Sequence, residues 1–121
     1  MFLQLAHTKT DVYQSSKKLV LEVYIVTRDF PNEEKFALVQ QIRRAAIPVH
    51  LNIAEGCSRK SEAERKRYFE VSRGSVIEVD TAIGIAHDLN YKSLDQLQSL
   101  GDLIVNSFKQ LSGLIGKGIS V

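Results

Sequence analysis

The sequence predicts an all-α protein, an antiparallel up-down-up-down four-helix bundle, and three observations carry that reading. Four segments repeat apolar residues at the spacing of an amphipathic helix, and none shows the alternation of a strand. Each segment is bounded by residues that start or stop helices. The joins are short, so consecutive helices must run in opposite directions. With 121 residues and 44% hydrophobic content the chain can build one core but not two, so residues 1–121 read as a single domain.

The expected helices span about residues 11–29, 33–57, 61–89 and 94–116. The first places Val12, Ser16, Leu19, Val23, Val26 and Phe30 on one stripe and stops at Asp29-Phe30-Pro31, since the residue before a proline avoids helical geometry. Asn32 is positioned to cap the second, with Glu33 and Glu34 favourably placed in its first turn. Its inward stripe would be Leu38, Ile42, Ala45, Val49, Asn52 and Gly56. Pro48 interrupts it, and the lost N–H should bend the helix there.

Ser61-Glu62-Ala63-Glu64 has the form of a capping box and opens the third helix. That helix would carry Tyr68, Ser72, Ser75, Val79, Ala82, Ala86 and Leu89 inward, flanked by Phe69, Val76 and Ile83, and fade at Asn90. Ser93-Leu94-Asp95-Gln96 is a second capping box. The helix after it turns Leu97, Leu100, Ile104, Phe108, Leu111 and Ile115 inward, with Gly116 and Gly118 expected to close it.

Polar residues on these stripes are the first candidates for a site. Asn52 and Glu55 fall where a core would want carbon, with Ser72, Ser75 and Glu78 on the third helix as partners. A buried amide or carboxylate left unpaired costs about 1–3 kcal/mol, so the five read as a structural polar seam. The first helix raises a different point: around Leu21, Tyr24 and Ile25 it is apolar on more than one face, which calls for another subunit and predicts a homo-oligomer.

Charge singles out the middle of the chain. Net charge is +2 overall, but residues 43–73 hold eight basic against four acidic side chains. Arg43, Arg44, Arg59, Lys60, Arg65, Lys66, Arg67 and Arg73 could therefore contact phosphates as a nucleic-acid-binding surface without sequence specificity, a reading that charge alone leaves level with its rival. Interleaved acids offer the competing reading, Glu62 with Lys66 and Glu70 with Arg73 pairing along a solvated face of a protein–protein adaptor.

Other chemistry is excluded residue by residue. A dinuclear carboxylate site needs Glu three positions before His, yet Gln4, Ile47 and Gly84 precede His7, His50 and His87 at that spacing. One cysteine and three scattered histidines make no zinc quartet, and Gly116-Lys117-Gly118 lacks the spacing of a phosphate loop. Cys57 follows Gly56 at a helix C-terminus, where the dipole disfavours a thiolate. No enzyme, metal or cofactor is expected. The lone cysteine cannot form an intramolecular disulfide, and neither an export signal nor a membrane span is legible, so the expected setting is the cytoplasm.

Arg43-Arg44-Ala45-Ala46, Asn52-Ile53-Ala54-Glu55-Gly56, Arg59, Ser61, Glu64, Arg67, Gly74-Ser75 and Glu78 together resemble the 23S rRNA intervening-sequence proteins, over about residues 10–118. That resemblance implies a small bacterial cytosolic protein, a left-handed four-helix bundle assembled as a homopentameric ring, with no enzymatic activity. Some members are encoded within insertions in 23S rRNA genes. Relatives that serve diversity-generating retroelements bind nucleic acid and a reverse transcriptase through basic surface. The family's proline commonly stands two residues before the asparagine, where this chain has His50. His50 is expected at a helix surface or subunit contact.

Overall fold

The computed structural model describes residues 1–120, with side chains described as far as Gly116. Four α-helices follow one another: α1 (Asp11–Thr27), α2 (Leu38–Cys57), α3 (Glu62–Asp88) and α4 (Leu94–Ser120), with short 3₁₀ turns at Ala6–Lys9 and Asn32–Glu34 and no strand among the described residues. Consecutive helices pack on one another, and α4 returns to α1, while the diagonal pairs do not approach one another. This is the expected up-down-up-down bundle, with α2 and α3 sharing its most extensive interface.

Local chemistry accounts for most of the boundaries. Thr10 Oγ1 accepts from Tyr13 N at 3.4 Å to cap α1, and Ser61 Oγ accepts from Glu64 N at 3.2 Å to cap α3. At α4 the capping box is reciprocal: Gln96 N donates to Ser93 Oγ and Ser93 N donates to Gln96 Oε1 at 2.9 Å. Asn90 adopts φ 64° just past α3, with Asn90 N donating to His87 O and Tyr91 N to Ala86 O. Those two bonds make a Schellman motif with asparagine in the usual glycine place.

Three boundaries differ from expectation. α1 ends at Thr27, short of 29. Asn32 does not cap α2: residues Asn32–Glu34 form a separate turn, and α2 begins only at Leu38 after Ala37 breaks the helical path at φ −120°, ψ −99°. The amide of Leu38 is taken instead by Glu34 Oε1 at 3.4 Å. At the other end α4 runs on to Ser120, past both Gly116 and Gly118, so neither closes it as expected.

The core holds the apolar stripes with instructive slips. In α2 the innermost position after Val49 belongs to Ile53, fully buried, rather than Asn52, and Leu38 is only partly buried. In α4, Ser107 is fully buried while Phe108 is 39% exposed. In α3, Phe69, Val76 and Ile83 are core, Tyr68 and Ser75 half-buried, and Leu89 exposed. The cause is common to all three: a stripe drawn with a seven-residue repeat drifts against a real helix of 3.6 residues per turn, so the choice between i+3 and i+4 is made by the neighbours. α2 runs unbroken through Pro48.

Candidate functional site

The expected polar seam does not form within the chain. Ser72 alone is buried, and its hydroxyl donates to the Val49 carbonyl of α2 at 2.6 Å rather than to a side chain. Asn52 is half-buried and turns back on its own helix, donating from Nδ2 to Pro48 O at 2.8 Å. Glu55 and Glu78 are exposed and Ser75 half-buried. Glu55 pairs with Arg59 one turn on, at 2.8 Å, as a solvated helix face does. The carboxylates thus meet water, which removes the need for buried partners.

Sequence reading missed where the buried polar contacts do lie. Ser16, fully buried on α1, sits 2.7 Å from His50 Nδ1 on α2, and its hydroxyl also reaches the Tyr13 carbonyl at 2.9 Å. The single hydroxyl hydrogen serves one of these at a time, so the His50 tautomer follows the choice. The Tyr13 ring packs on His50 at 4.5 Å and on His7 at 5.6 Å. Burial, and then Lys17, push the His50 pKa below its ordinary value. The available signal was Ser16, the one polar slot in an otherwise apolar stripe.

The eight predicted cations are spread along the bundle: Arg59, Lys60, Arg65, Lys66 and Arg67 lie near the α2–α3 turn, and Arg73 stands about 16 Å along α3 from it at about 1.5 Å of helix per residue. Arg43 and Arg44 stand about 20 Å from the α2–α3 turn, at about 1.5 Å of helix per residue. Arg43 is committed inside the chain: Nε donates to Thr27 Oγ1 at 3.0 Å, and its guanidinium covers the Tyr24 ring at 4.4 Å. Arg44 is exposed. At the turn, Arg59 bonds Glu55 and the Tyr68 hydroxyl, which together raise its pKa further, with Tyr68 the larger cause. Lys66 pairs with Glu70 at 3.8 Å rather than with Glu62, and Arg73 reaches Ser112 Oγ at 3.2 Å instead of Glu70. Lys60, Arg65 and Arg67 are exposed and enter no ion pair among the described residues.

The predicted subunit face is partly available. Leu21 is 56% and Ile25 53% exposed on α1, whereas Tyr24 is half-buried beneath Arg43. A second apolar surface opens between α3 and α4, a groove of about 370 Å³ lined by Ile77, Val105 and Phe108 with Asp80 and Lys109 at its edge. Burial raises the Cys57 thiol above its ordinary pKa despite Arg65 nearby, the opposite of an activated nucleophile. Among the described residues no cluster of His, Cys, Asp or Glu has the makings of a metal site, and no helix is long and apolar enough to cross a membrane.

An antiparallel bundle whose buried polar contacts join neighbouring helices, with exposed cations at the α2–α3 turn, defines the class, a four-helix bundle. Residues 8–113 match the family model described as 23S rRNA-intervening sequence protein, so the chain belongs to that family. No curated protein matches it. Among solved structures it is similar to a protein of unknown function from the S23 ribosomal protein family of Bacteroides thetaiotaomicron VPI-5482, with a TM-score of 0.77 and 18% identity, covering 86% of this chain and 97% of that one. At that identity the likeness speaks for the fold.

Proposed function

We propose that the chain works as a non-enzymatic, homo-oligomeric bundle of the bacterial cytoplasm that binds RNA or DNA through phosphates at its basic α2–α3 turn. The observation that carries this reading is the set of exposed cations Lys60, Arg65 and Arg67, without ion-pair partners among the described residues, at one end of a molecule with uncovered apolar side chains along its flank. One copy holds a weak patch. A ring of copies, the pentamer that the family resemblance implies, repeats it and raises affinity through multivalency. The aromatic ring at this turn, Tyr68, is half-buried and covered by Arg59, which suits phosphate contacts without sequence choice.

The test is a salt titration of binding to structured RNA and to duplex DNA. Each phosphate contact contributes about 0.7–0.9 to the slope of log affinity against log salt. The triple variant Lys60→Ala, Arg65→Ala, Arg67→Ala should bind more weakly and with a shallower slope, while light scattering reports an unchanged oligomer. An absence of binding at about 50 mM salt, where this electrostatic term is strong, would defeat the nucleic-acid reading. The second reading, a protein–protein adaptor, would then stand, favoured by Glu55, Glu62, Glu64 and Glu70 interleaved at the same turn.

A further inference from the structure

We propose that copies of the chain join head to tail, the outward face of α1 on one copy seating in the α3–α4 groove of the next. This rests on the homo-oligomer reading above and adds which two surfaces meet. On α1 the helical spacing puts Lys18, Leu21, Ile25 and Arg28 on one exposed stripe, since Arg28 keeps helical angles of φ −58° and ψ −38° past the last turn. Two apolar side chains are thus bracketed by cations about 15 Å apart, at about 1.5 Å of helix per residue. Neither cation enters an ion pair among the described residues, and Lys17 adds a third exposed one beside them. The acids of α1 are Glu22, half-buried beside α4, and Asp11 at the helix start.

The groove carries the matching pattern. Ile77, Val105 and Phe108 line an apolar stretch of about 370 Å³ with Asp80 at its edge. At one end Arg73 covers the Phe108 ring at 5.8 Å and reaches Ser112, with Lys109 one turn of α4 beyond Val105 on that side. In the other direction α3 presents Asp80, Gly84 and Asp88 at successive turns, all exposed, with the two carboxylates about 12 Å apart along the helix. Antiparallel continuation from the Arg73–Ser112 contact brings Gly84 level with Gly101 of α4. A Cβ on either glycine would meet no neighbouring atom within 4 Å, so packing inside the chain requires neither, yet each costs its helix about 1 kcal/mol relative to alanine. A floor without side chains between two acids admits Leu21 and Ile25 and sets Lys18 and Arg28 beside Asp80 and Asp88. Opposite charges at the margin of an apolar contact fix its register.

The two surfaces lie on opposite flanks of α4. Leu21 borders Ser99, Asp102 and Leu103 on the α1 side, whereas Val105 and Phe108 open toward α3. The contact is therefore not self-complementary. Every copy gives an α1 face and receives another, and the assembly closes as a ring or runs on as a chain.

Cysteine cross-linking on the full chain tests this in a Cys57→Ser background, which removes the one native thiol. Leu21→Cys and Val105→Cys change exposed side chains, and a short bis-maleimide joins thiols that lie close together. A chain carrying both should yield a ladder of linked species on a denaturing gel, while either single variant should remain unlinked. Lys18→Glu with Arg28→Glu should raise the concentration at which the assembly dissociates several-fold, and adding Asp80→Lys with Asp88→Lys to the same chain should restore it. A single variant that links to itself, an oligomeric double variant that gives no ladder, or a charge reversal without effect or without rescue would each overturn the head-to-tail contact and leave self-association standing. A parent that light scattering finds monomeric would remove both.

Discussion

The Tyr91 hydroxyl donates a 2.6 Å hydrogen bond to Glu34 Oε2, joining the turn before α4 to the turn before α2. The other carboxylate oxygen of Glu34 accepts from Leu38 N, the first amide of α2, and Phe30 packs on the Tyr91 ring at 5.5 Å. Lys92 and Asp29 add a 2.7 Å ion pair beside them. One end of the bundle is thus tied by side chains where the backbone is irregular.

Glu34 pushes the Tyr91 pKa up from 10.0 to about 12 by accepting its proton in a hydrogen bond. A phenol whose folded pKa is raised stabilises the fold fully below about pH 10 and loses that contribution as pH rises toward 12. Tyr91→Phe should lower the melting temperature at neutral pH and flatten the stability decline across that alkaline window. Thermal melts read by circular dichroism from neutral to alkaline pH check both parts, and a Phe variant with the parent's alkaline profile would remove Tyr91 from the account.

Gly56 lets α2 and α3 approach closely. A Cβ there would come within 2.8 Å of Phe69 Cε1 and 3.1 Å of Tyr68 Cβ, and the latter cannot swing aside. Gly56→Ala should cost about 1–3 kcal/mol, the range for overpacking a well-filled contact. Urea denaturation measures it, and a neutral or stabilising result would mean that the α2–α3 spacing yields more readily than its packing implies.

Ile53 and Asn52 are adjacent in sequence and opposite in consequence. Ile53 is fully buried, so Ile53→Ala should cost about 2–5 kcal/mol through lost burial and the cavity left behind. Asn52 bonds only its own helix at a half-buried position, so Asn52→Ala should cost within about 1 kcal/mol. Comparing the two midpoints in one denaturant series decides the matter, and equal losses would restore Asn52 to the core.

Leu21 and Ile25 should matter to assembly and not to the fold of one copy. Replacing both by Glu places charge on side chains already more than half exposed, which in an isolated bundle changes stability by about 0.5 kcal/mol or less at each position. In an oligomer built on that face it should release monomers. Light scattering after size-exclusion chromatography reads the mass, and a parent that is already monomeric at micromolar concentration would count against self-association.

Helix number, antiparallel order and two of the capping motifs were legible in the sequence because they are local. Ser61, and Ser93 with Gln96, act within a few residues of the backbone they satisfy, and the apolar period marks a buried face without reference to a partner. Membership of the family was legible for a related reason, since its motif lies in one contiguous hairpin, and the family match over residues 8–113 agrees.

Contacts between distant positions were decided only by the tertiary structure. Periodicity leaves i+3 and i+4 equally open, and the packing of α1 and α3 against α2 put Ile53 inside and left Asn52 at the margin. Whether a charged side chain is a ligand or a strut depends on what stands opposite it: Thr27 and Tyr24 claim Arg43, Ser112 claims Arg73, and Lys60, Arg65 and Arg67 remain exposed. Ser16 meets His50 across 34 positions and Glu34 meets Tyr91 across 57. Such pairings arise because four rods closing on one core bring those side chains together, and no local pattern in the chain encodes that meeting.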